Sequence, residues 1–179
     1  DSKKYDGGST PTVIPTSVSA RSNDWIETTI FDPSEIINIT VPDLRVLNTR
    51  TEVLTYNIQT ALDDAEEGDT IHAWNGTYYE NIEISDEVTL KGNGTSTIIN
   101  GTSGTAIEIN DNDIVIEDLL IISSEKGIFI NGAHDVSVST IRFTGNEYAV
   151  YVEDSQRALI DNNEFDLEDY GIYFTGSSS

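Results

Sequence analysis

Acidic side chains are the groups that this sequence offers in clusters. Asp111 and Asp113 lie two residues apart, and Asp135 follows Asp113 after 22 residues. Calcium takes roughly six to eight oxygen ligands from carboxylates and backbone carbonyls, and acidic turns can supply several of them. Arg157 occupies the next step of 22 residues, where a further carboxylate would continue the series. The pattern therefore predicts either a calcium site or ordinary solvated turns, and the interruption by Arg157 favours solvated turns.

The sequence offers few groups for nucleophilic or transition-metal chemistry. It contains no cysteine, no methionine and two histidines, His72 and His134. The absence of cysteine excludes a disulfide scaffold, a thiolate zinc site, an iron–sulfur cluster and a thiol nucleophile. Apart from the calcium candidates, we therefore expect no metal and no cofactor.

Three aromatic residues, Phe129, Tyr151 and Tyr173, are each separated by 22 residues. Such a row on one face of a sheet can be a packing ladder that stabilises neighbouring strands. It can also be a contact surface for sugars or for other subunits, since Tyr and Phe are enriched at protein interfaces. The sequence leaves both interpretations open. The contact interpretation predicts a subunit interface or a glycan platform at these three positions.

Four Asn-X-Thr sequons lie in the first 102 residues, at Asn38, Asn75, Asn93 and Asn100. In a secreted chain, such sequons mark surface loops that are open to N-glycosylation. Asn-Gly-Thr, the sequence of the last three, is also favourable in tight turns. Glycosylation and plain turn formation are equally consistent with this pattern.

The charge of the chain excludes several kinds of partner. Nine Lys and Arg residues stand against 32 Asp and Glu residues, which gives a formal net charge of −23. A chain this acidic is repelled by nucleic-acid phosphates and by anionic membrane surfaces. No apolar run approaches the roughly 20 residues that a membrane-spanning helix needs. The first residue is Asp, so we expect an extracellular or cell-surface protein whose signal peptide has been removed.

A repeat underlies the second half of the sequence. Pairs of apolar residues with a spacing of two, typical of one face of a strand, return every 21 or 22 residues. The three sets are Ile107/Ile109, Ile128/Ile130, Val150/Val152 and Ile172/Phe174; Ile114/Ile116, Val136/Val138 and Ala158/Ile160; and Leu119/Ile121, Ile141/Phe143 and Asn163/Phe165. Three short strands in each repeat predict an all-β fold, a single-stranded parallel β-helix whose equivalent residues stack in an apolar interior.

Earlier residues extend this stack towards the N-terminus. Ile82/Ile84 precede the first set by 25 residues, Val88/Leu90 precede the second by 26, and Ile71/Ala73 resemble a still earlier strand. The β-helix is therefore predicted from about residue 70 to 175, in about five coils. One polar residue, Asn163, interrupts the inward-facing sets.

The segment before the β-helix predicts a cap and an arm. Ile58, Ala61, Leu62 and Ala65 recur at helical spacing, and Asn57 can cap the start, so we expect a helix over about 57–66. This helix would cover the open end of the first coil. Residues 1–50 are rich in Ser, Thr and Pro, with short alternating runs at 25–31 and 36–46, which indicates an extended arm with short strands. The predicted domains are thus an arm at 1–50 and a capped β-helix at 51–179.

The region 56–175 resembles the right-handed parallel β-helix proteins of the pectate-lyase-like superfold, and in particular the NosD-type repeat proteins of archaeal and bacterial surfaces. The elements that carry this resemblance are the helix Ile58–Ala65, Gly68-Asp69-Thr70-Ile71, Gly76-Thr77-Tyr78 with Glu80, Val88-Thr89-Leu90 and Gly92. The resemblance implies a right-handed coil. It does not specify a function, because this superfold hosts lyases, hydrolases, adhesins and structural proteins.

The residues at the outward-facing positions differ from those that the catalytic members of that superfold use. Pectate lyases stack carboxylates for calcium beside a basic residue, and polygalacturonases cluster aspartates. The outward columns predicted here are Thr89, Val115, Ser137 and Leu159; Ile98, Leu120, Arg142 and Glu164; and Glu83, Glu108, Phe129, Tyr151 and Tyr173. Neither catalytic arrangement occurs in them, so we expect no enzymatic activity. The copper suggested by NosD-type relatives has only His72 and His134 as soft or imidazole ligands, about three coils apart.

Two functions follow as hypotheses. The first is an extracellular structural protein, a filament, sheath or surface-layer subunit, whose arm adds strands to the open β-helix edge of a neighbouring copy. This predicts a homopolymer. The second is a carbohydrate-binding module of a larger surface protein, which would use the aromatic row as a platform for cell-surface glycans.

Overall fold

The computed structural model describes residues 45–102 and 104–176. Two strands and a helix come first: β1 (Val46–Asn48), β2 (Leu54–Thr55) and α1 (Ile58–Asp63). Five coils of three strands follow. Coil 1 contains β3 (Asp69–Ala73), β4 (Gly76–Tyr78) and β5 (Ile82–Ile84), and coil 2 contains β6 (Val88–Lys91), β7 (Thr97–Asn100) and β8 (Thr105–Ile109). Coil 3 contains β9 (Val115–Glu117), β10 (Leu120–Ile122) and β11 (Lys126–Asn131). Coil 4 contains β12 (Ser137–Ser139), β13 (Arg142–Thr144) and β14 (Tyr148–Glu153), and coil 5 contains β15 (Leu159–Asp161), β16 (Glu164–Asp166) and β17 (Tyr170–Thr175).

Each coil gives one strand to each of three parallel sheets. Sheet A has the order β15-β12-β9-β6-β3-β1-β2, sheet B the order β16-β13-β10-β7-β4, and sheet C the order β17-β14-β11-β8-β5. Neighbouring strands from successive coils are parallel, whereas β1 is antiparallel to both β2 and β3. This arrangement is a parallel β-helix of five coils and confirms the predicted fold.

The register of the sheets follows the apolar repeat. In sheet C, Ile107 pairs with Ile128, which pairs with Val150 and then with Ile172. The first three of these side chains are completely buried, because a coil covers them on each side. Ile71 pairs with Leu90, which confirms the predicted early strand of the stack. Burial of these columns supplies the main stabilisation of the coil, at about 25 cal/mol per Å² of apolar surface.

The helix that caps the first coil is shorter than predicted. It spans Ile58–Asp63 rather than 57–66, and it buries Ile58, Ala61 and Leu62. Asn57 occupies the N-cap position, but its side chain makes no capping hydrogen bond. The carboxylate of Glu80 does so instead, since its two oxygens accept the backbone N–H groups of Ile58 and Gln59, each at 3.0 Å. A tertiary contact from coil 1 therefore replaces the local cap that the sequence suggested.

Substituting Glu80 by alanine is expected to lower the free energy of unfolding by about 1 kcal/mol, because two N–H groups at the helix start lose a charged acceptor. Urea denaturation monitored by circular dichroism would measure this loss. Asp86→Ala is the matched control, since it removes one exposed carboxylate from the same coil. Equal stability changes in the two variants would contradict the capping role.

Two buried or half-buried asparagines each form hydrogen bonds to a turn of the preceding coil. Asn163 accepts the N–H of Ile141 and donates to the carbonyl of Val138, both at 2.9 Å. Asn146 accepts the N–H of Ser124 at 3.0 Å and donates to the carbonyl of Ile121 at 3.3 Å. In both cases the amide satisfies backbone groups of the preceding coil. Asn163, the polar residue in an otherwise apolar column, therefore stabilises a turn of the preceding coil and satisfies two of its backbone groups.

Coil 5 ends the described stack with its inward side chains partly exposed. Phe174 is 66% exposed, Ile172 41% and Phe165 40%. Their partners in coil 4, Val152, Val150 and Phe143, are almost or completely buried. The difference arises because no described coil covers the outer side of coil 5.

The predicted arm lies mostly outside the described residues, as do the strand expected at 25–31 and all but the last two residues of the strand expected at 36–46. Its last part is described: Val46–Asn48 form β1, which pairs with β3 of coil 1. The boundary proposed at residue 50 stays a prediction.

Candidate functional site

A group of aromatic side chains covers the outer face of sheet C in coils 3 to 5. It consists of two columns of register-paired residues. The aromatic patch comprises Lys126, Tyr148 and Tyr170 in one column, and Phe129, Tyr151 and Tyr173 in the other. The second column was predicted from the sequence, and the structure places its three residues side by side on successive coils. The first column was not predicted from the sequence.

Local backbone geometry explains why both columns face outward. In a regular strand, residues three apart point to opposite sides of the sheet. In β14, however, Ala149 and Val150 are consecutive and both fully buried, so Tyr148 and Tyr151 lie on the same outer face. In coils 2 to 5 a small residue stands at the first of these two positions, for example Gly127 in coil 3. A methyl group on Gly127 would lie 2.6 Å from the carbonyl oxygen of Ala149, so this position in coil 3 has no room for a larger side chain.

The rings of the patch contact one another along and across the coils. The Tyr148 and Tyr170 rings are stacked, with centroids 4.9 Å apart and planes 10° apart. The Tyr151 and Tyr173 rings lie 5.1 Å apart at 33°, and Phe129 meets Tyr151 edge-on at 5.5 Å. Tyr148 also contacts the edge of Tyr151 at 5.3 Å, so the two columns form one cluster. Contacts of this kind contribute about 0.5–1.5 kcal/mol each beyond area burial.

A lysine closes the coil 3 end of this cluster. The ammonium nitrogen of Lys126 lies 4.7 Å from the Phe129 ring centroid and 4.8 Å from that of Tyr151, within cation–π range. It also lies 4.0 Å from a carboxylate oxygen of Glu125. Lys126 is thus a cation held against an aromatic surface.

The hydroxyls of Tyr148 and Tyr151 remain protonated at neutral pH. Burial raises the pKa of Tyr148 above its ordinary value, and the charge of Glu147 adds to the effect. Burial likewise raises the pKa of Tyr151, together with the charge of Glu153. Each hydroxyl can therefore both donate and accept a hydrogen bond. Exposure increases towards coil 5, where Tyr170 is 51% exposed and Tyr173 39%.

The outward columns of the other two sheets also follow the predicted register. Sheet A presents Thr89, Val115, Ser137 and Leu159, and sheet B presents Ile98, Leu120, Arg142 and Glu164. Arg142 lies 3.7 Å from Glu164 and 3.1 Å from Asp166. These are half-exposed ion pairs that contribute at most about 1 kcal/mol.

The acidic turns predicted as calcium candidates lie at the junction between sheets C and A. Asp113, Asp135 and Arg157 occupy equivalent turn positions, all with positive φ near 57° (56°, 58° and 56°). The guanidinium of Arg157 binds both carboxylate oxygens of Asp135 and holds the pKa of that carboxyl below its ordinary value. Within residues 45–102 and 104–176, no three His, Asp or Glu side chains converge as a group that could hold a metal ion. Calcium binding by Asp111, Asp113 and Asp135 stays a prediction.

The two histidines lie far apart along the coil axis. His72 is in β3 of coil 1, where its Nε2 lies 2.9 Å from Oδ1 of Asn93. His134 is in the turn before β12 of coil 4, where its Nδ1 accepts the N–H of Gln156 at 3.2 Å. Each imidazole therefore has a polar neighbour of its own in a different part of the β-helix.

Three sequons fall within the described residues. Asn75 and Asn93 are exposed, in the turns between sheets A and B of coils 1 and 2, and Asn100 is half-exposed at the end of β7. Nδ2 of Asn93 donates to Oδ1 of Asn75 at 2.9 Å. Asn38 lies outside the described residues. Use of these sequons stays a prediction.

Two glutamates give the structure a predictable dependence on pH. Burial raises the pKa of Glu168, against an opposing contribution from its hydrogen bonds to Asn146. Burial and the charge of Glu67 raise the pKa of Glu87. A raised pKa means that the folded state takes up its proton at a higher pH than the unfolded chain does, so protonation favours folding.

We therefore expect the melting temperature to rise as the pH is lowered from 7 to about 5. Below about pH 4 it should fall, because Asp135 and similar carboxylates with lowered pKa lose their ion pairs there. Thermal melts across this range test the curve. Glu168→Gln should reduce the rise, whereas Glu147→Gln, which removes a charge from an exposed turn, should leave it in place. A rise that persists unchanged in Glu168→Gln would contradict the role of Glu168.

Comparison with known proteins agrees with this architecture. The family profile described as "Periplasmic copper-binding protein (NosD)" matches residues 22–179. The chain belongs to the NosD family. This confirms the resemblance inferred from the capping helix and the first coils.

The copper in the NosD family description does not fit the donors of this chain. Copper favours thiolate, thioether and imidazole ligands. The sequence has no cysteine and no methionine, and its two histidines stand three coils apart.

A cell surface glycoprotein of Methanothermus fervidus is 35% identical over an alignment of 98 residues, and the match covers 52% of this chain and 16% of that protein. This NosD-family chain therefore matches a small part of a much longer relative. No solved structure matches it. Among the described residues, no helix is long and apolar enough to cross a membrane.

Proposed function

We propose that this chain is a non-enzymatic structural part of an extracellular, cell-surface glycoprotein, and that it self-associates into a filament, sheath or surface layer. Membership of the NosD family and similarity to a cell surface glycoprotein support the location. The five coils in register, with their continuous apolar interior, support the structural role, because such a stack is a stiff scaffold.

The partly exposed inward row of coil 5 carries the self-association proposal. Phe165, Ile172 and Phe174 repeat the positions that the next coil buries elsewhere in the stack. A strand supplied by another copy could pair with β15, β16 or β17 and cover this row. We propose that the strands predicted in residues 1–44 of a second copy are the segment that does so.

Particle size in solution tests this proposal. We expect the full chain to form polymers visible by electron microscopy, and we expect deletion of residues 1–44 to reduce them to small species. That deletion leaves β1 and the capping helix α1 in place, so the cap of coil 1 is retained. Phe174→Ser should also weaken the polymers. Leu167→Ser is the matched control, because Leu167 is 81% exposed in a turn of the same coil.

Two results would overturn self-association through coil 5. One is a full chain that remains a 19.7 kDa monomer at all concentrations tested. The other is a deletion variant that polymerises as well as the full chain does.

The aromatic patch favours a second candidate function, a carbohydrate-binding module of a larger surface protein. Sugars present apolar C–H faces and hydroxyl rims, and tyrosine combines an apolar ring with a hydroxyl. Binding of glycans by the full chain, lost on substitution in the patch, would support this candidate.

A further inference from the structure

We propose that the aromatic patch binds an uncharged, linear glycan that runs along the coil axis. This inference rests on the carbohydrate-binding candidate and specifies its site and its ligand class. It adds Lys126, Tyr148 and Tyr170 to the three positions that the sequence indicated.

The repeat of the patch matches a ligand that itself repeats. Successive coils place equivalent rings 4.9 Å apart in the Tyr148 column and 5.1 Å apart between Tyr151 and Tyr173. A linear polymer laid along this direction meets tyrosine rings and hydroxyls on coils 4 and 5, and a phenylalanine ring and an ammonium group on coil 3. A glycan has this character, because each sugar unit presents one apolar face and a rim of hydroxyl groups.

The polar atoms of the patch are of the kind that sugar hydroxyls need. Tyr148, Tyr151, Tyr170 and Tyr173 each bring one hydroxyl, which can donate or accept. Lys126 adds a donor at one end, and its position over two rings limits the conformations that binding would have to freeze. The site is therefore largely ordered before the ligand arrives.

The charge of the chain decides against polyanionic ligands. At a net charge of −23, the chain repels polyanions. The patch carries a single cation, Lys126, which already lies close to Glu125. An uncharged glycan meets no such repulsion, and it needs no compensating charge from the protein.

Binding to the full chain tests the proposal, measured by titration calorimetry with soluble oligomers of glucose and of N-acetylglucosamine. Oligogalacturonate serves as the anionic probe. We expect at least one uncharged oligomer to bind, and Tyr170→Ala to weaken its affinity by about tenfold or more, as for a central aromatic contact. Tyr170→Phe should lose less, because it keeps the ring.

Tyr79→Ala is the matched control, since Tyr79 is 69% exposed in coil 1, away from the patch. It should bind like the unaltered chain. Thermal melts of Tyr170→Ala confirm folding, because a half-exposed ring contributes little to the core.

Each contrary result has a distinct meaning. Binding of oligogalacturonate alone would overturn the uncharged class and leave the carbohydrate-binding candidate standing. Absence of binding by every probe would overturn the proposal. If Tyr170→Ala then also reduced particle size, the patch would instead be an interface between copies. Equal weakening in Tyr79→Ala and Tyr170→Ala would overturn the assignment of the site to the patch.

Discussion

Replacing Phe143 by alanine is expected to lower the free energy of unfolding by about 4 kcal/mol. Phe143 is a completely buried side chain in β13, the second strand from the coil 5 edge of sheet B. Its ring stacks on Phe165 of coil 5, with centroids 5.5 Å apart and planes 11° apart. On the other side it fills the space beside Gly127, where a methyl group would lie 2.9 Å from a ring carbon. Removal of the ring leaves a cavity between backbones that hydrogen bonds hold in place, so collapse cannot close it.

Phe165→Ala provides the comparison, because it deletes the same ring one coil further on. Phe165 is 40% exposed, and its loss should cost about 1–2 kcal/mol. Urea denaturation measures both values. Hydrogen exchange should also accelerate in coils 4 and 5 of Phe143→Ala, since each coil is stabilised by its neighbours alone. Losses of similar size in the two variants would contradict this account of the core.

Replacing Asp69 by alanine is expected to cost about 3 kcal/mol. Asp69 is 1% exposed, and its carboxylate joins the β1 segment to coil 1. It binds the guanidinium of Arg50, accepts the amide of Asn48 at 2.7 Å, and accepts the backbone N–H of Glu66 at 3.1 Å. The substitution leaves the buried Asn48 amide without this acceptor. Arg50 is half-exposed and can return to water, which keeps the loss near the lower end for a broken buried pair.

The same carboxylate governs stability in acid. Arg50 and the hydrogen bonds to Asn48 and Glu66 hold the pKa of Asp69 well below its usual range. The folded protein therefore keeps the charge while the unfolded chain takes up a proton near pH 4. The stabilisation is complete above about pH 4 and is lost progressively as the pH falls further. Asp69→Ala should accordingly show a shallower loss of stability in acid.

Glu66→Ala is the control for the Asp69 variant. Its carboxylate lies 3.0 Å from Arg50 but is 76% exposed, so its removal should cost less than about 0.5 kcal/mol. If the two substitutions were equally damaging, the Asp69 network would not be what attaches β1 to the first coil.

The strand columns were predictable because the coil imposes the same geometry on every repeat. Side chains alternate along each strand, and parallel strands pair in register, so Ile107, Ile128 and Val150 had to stack once the period was recognised. The row of Phe129, Tyr151 and Tyr173 followed by the same rule. Asn163 could be recognised as an exception, but its hydrogen-bond partners could not.

Departures from regular alternation were not predictable in this way. Tyr148 and Tyr170 face outward because two consecutive residues in each of their strands point inward, and strict alternation assigns them to the opposite side. A small residue recurs at the first of the two inward positions, and this recurrence would have located the break in alternation. The residues are Ala106, Gly127, Ala149 and Gly171. The helix cap was misassigned for a related reason. Asn57 is the local candidate, whereas Glu80 comes from a strand connection 22 residues away.

The sequence by itself determined the repeat, the inward columns and the absence of thiol chemistry, because these depend on residue type and spacing alone. The tertiary structure decided which side chains from different coils meet. It brought Lys126 over two rings, joined two columns into one patch, and placed Arg50 against Asp69. Such contacts depend on turn geometry and on the stacking of unequal coils, which no local pattern encodes.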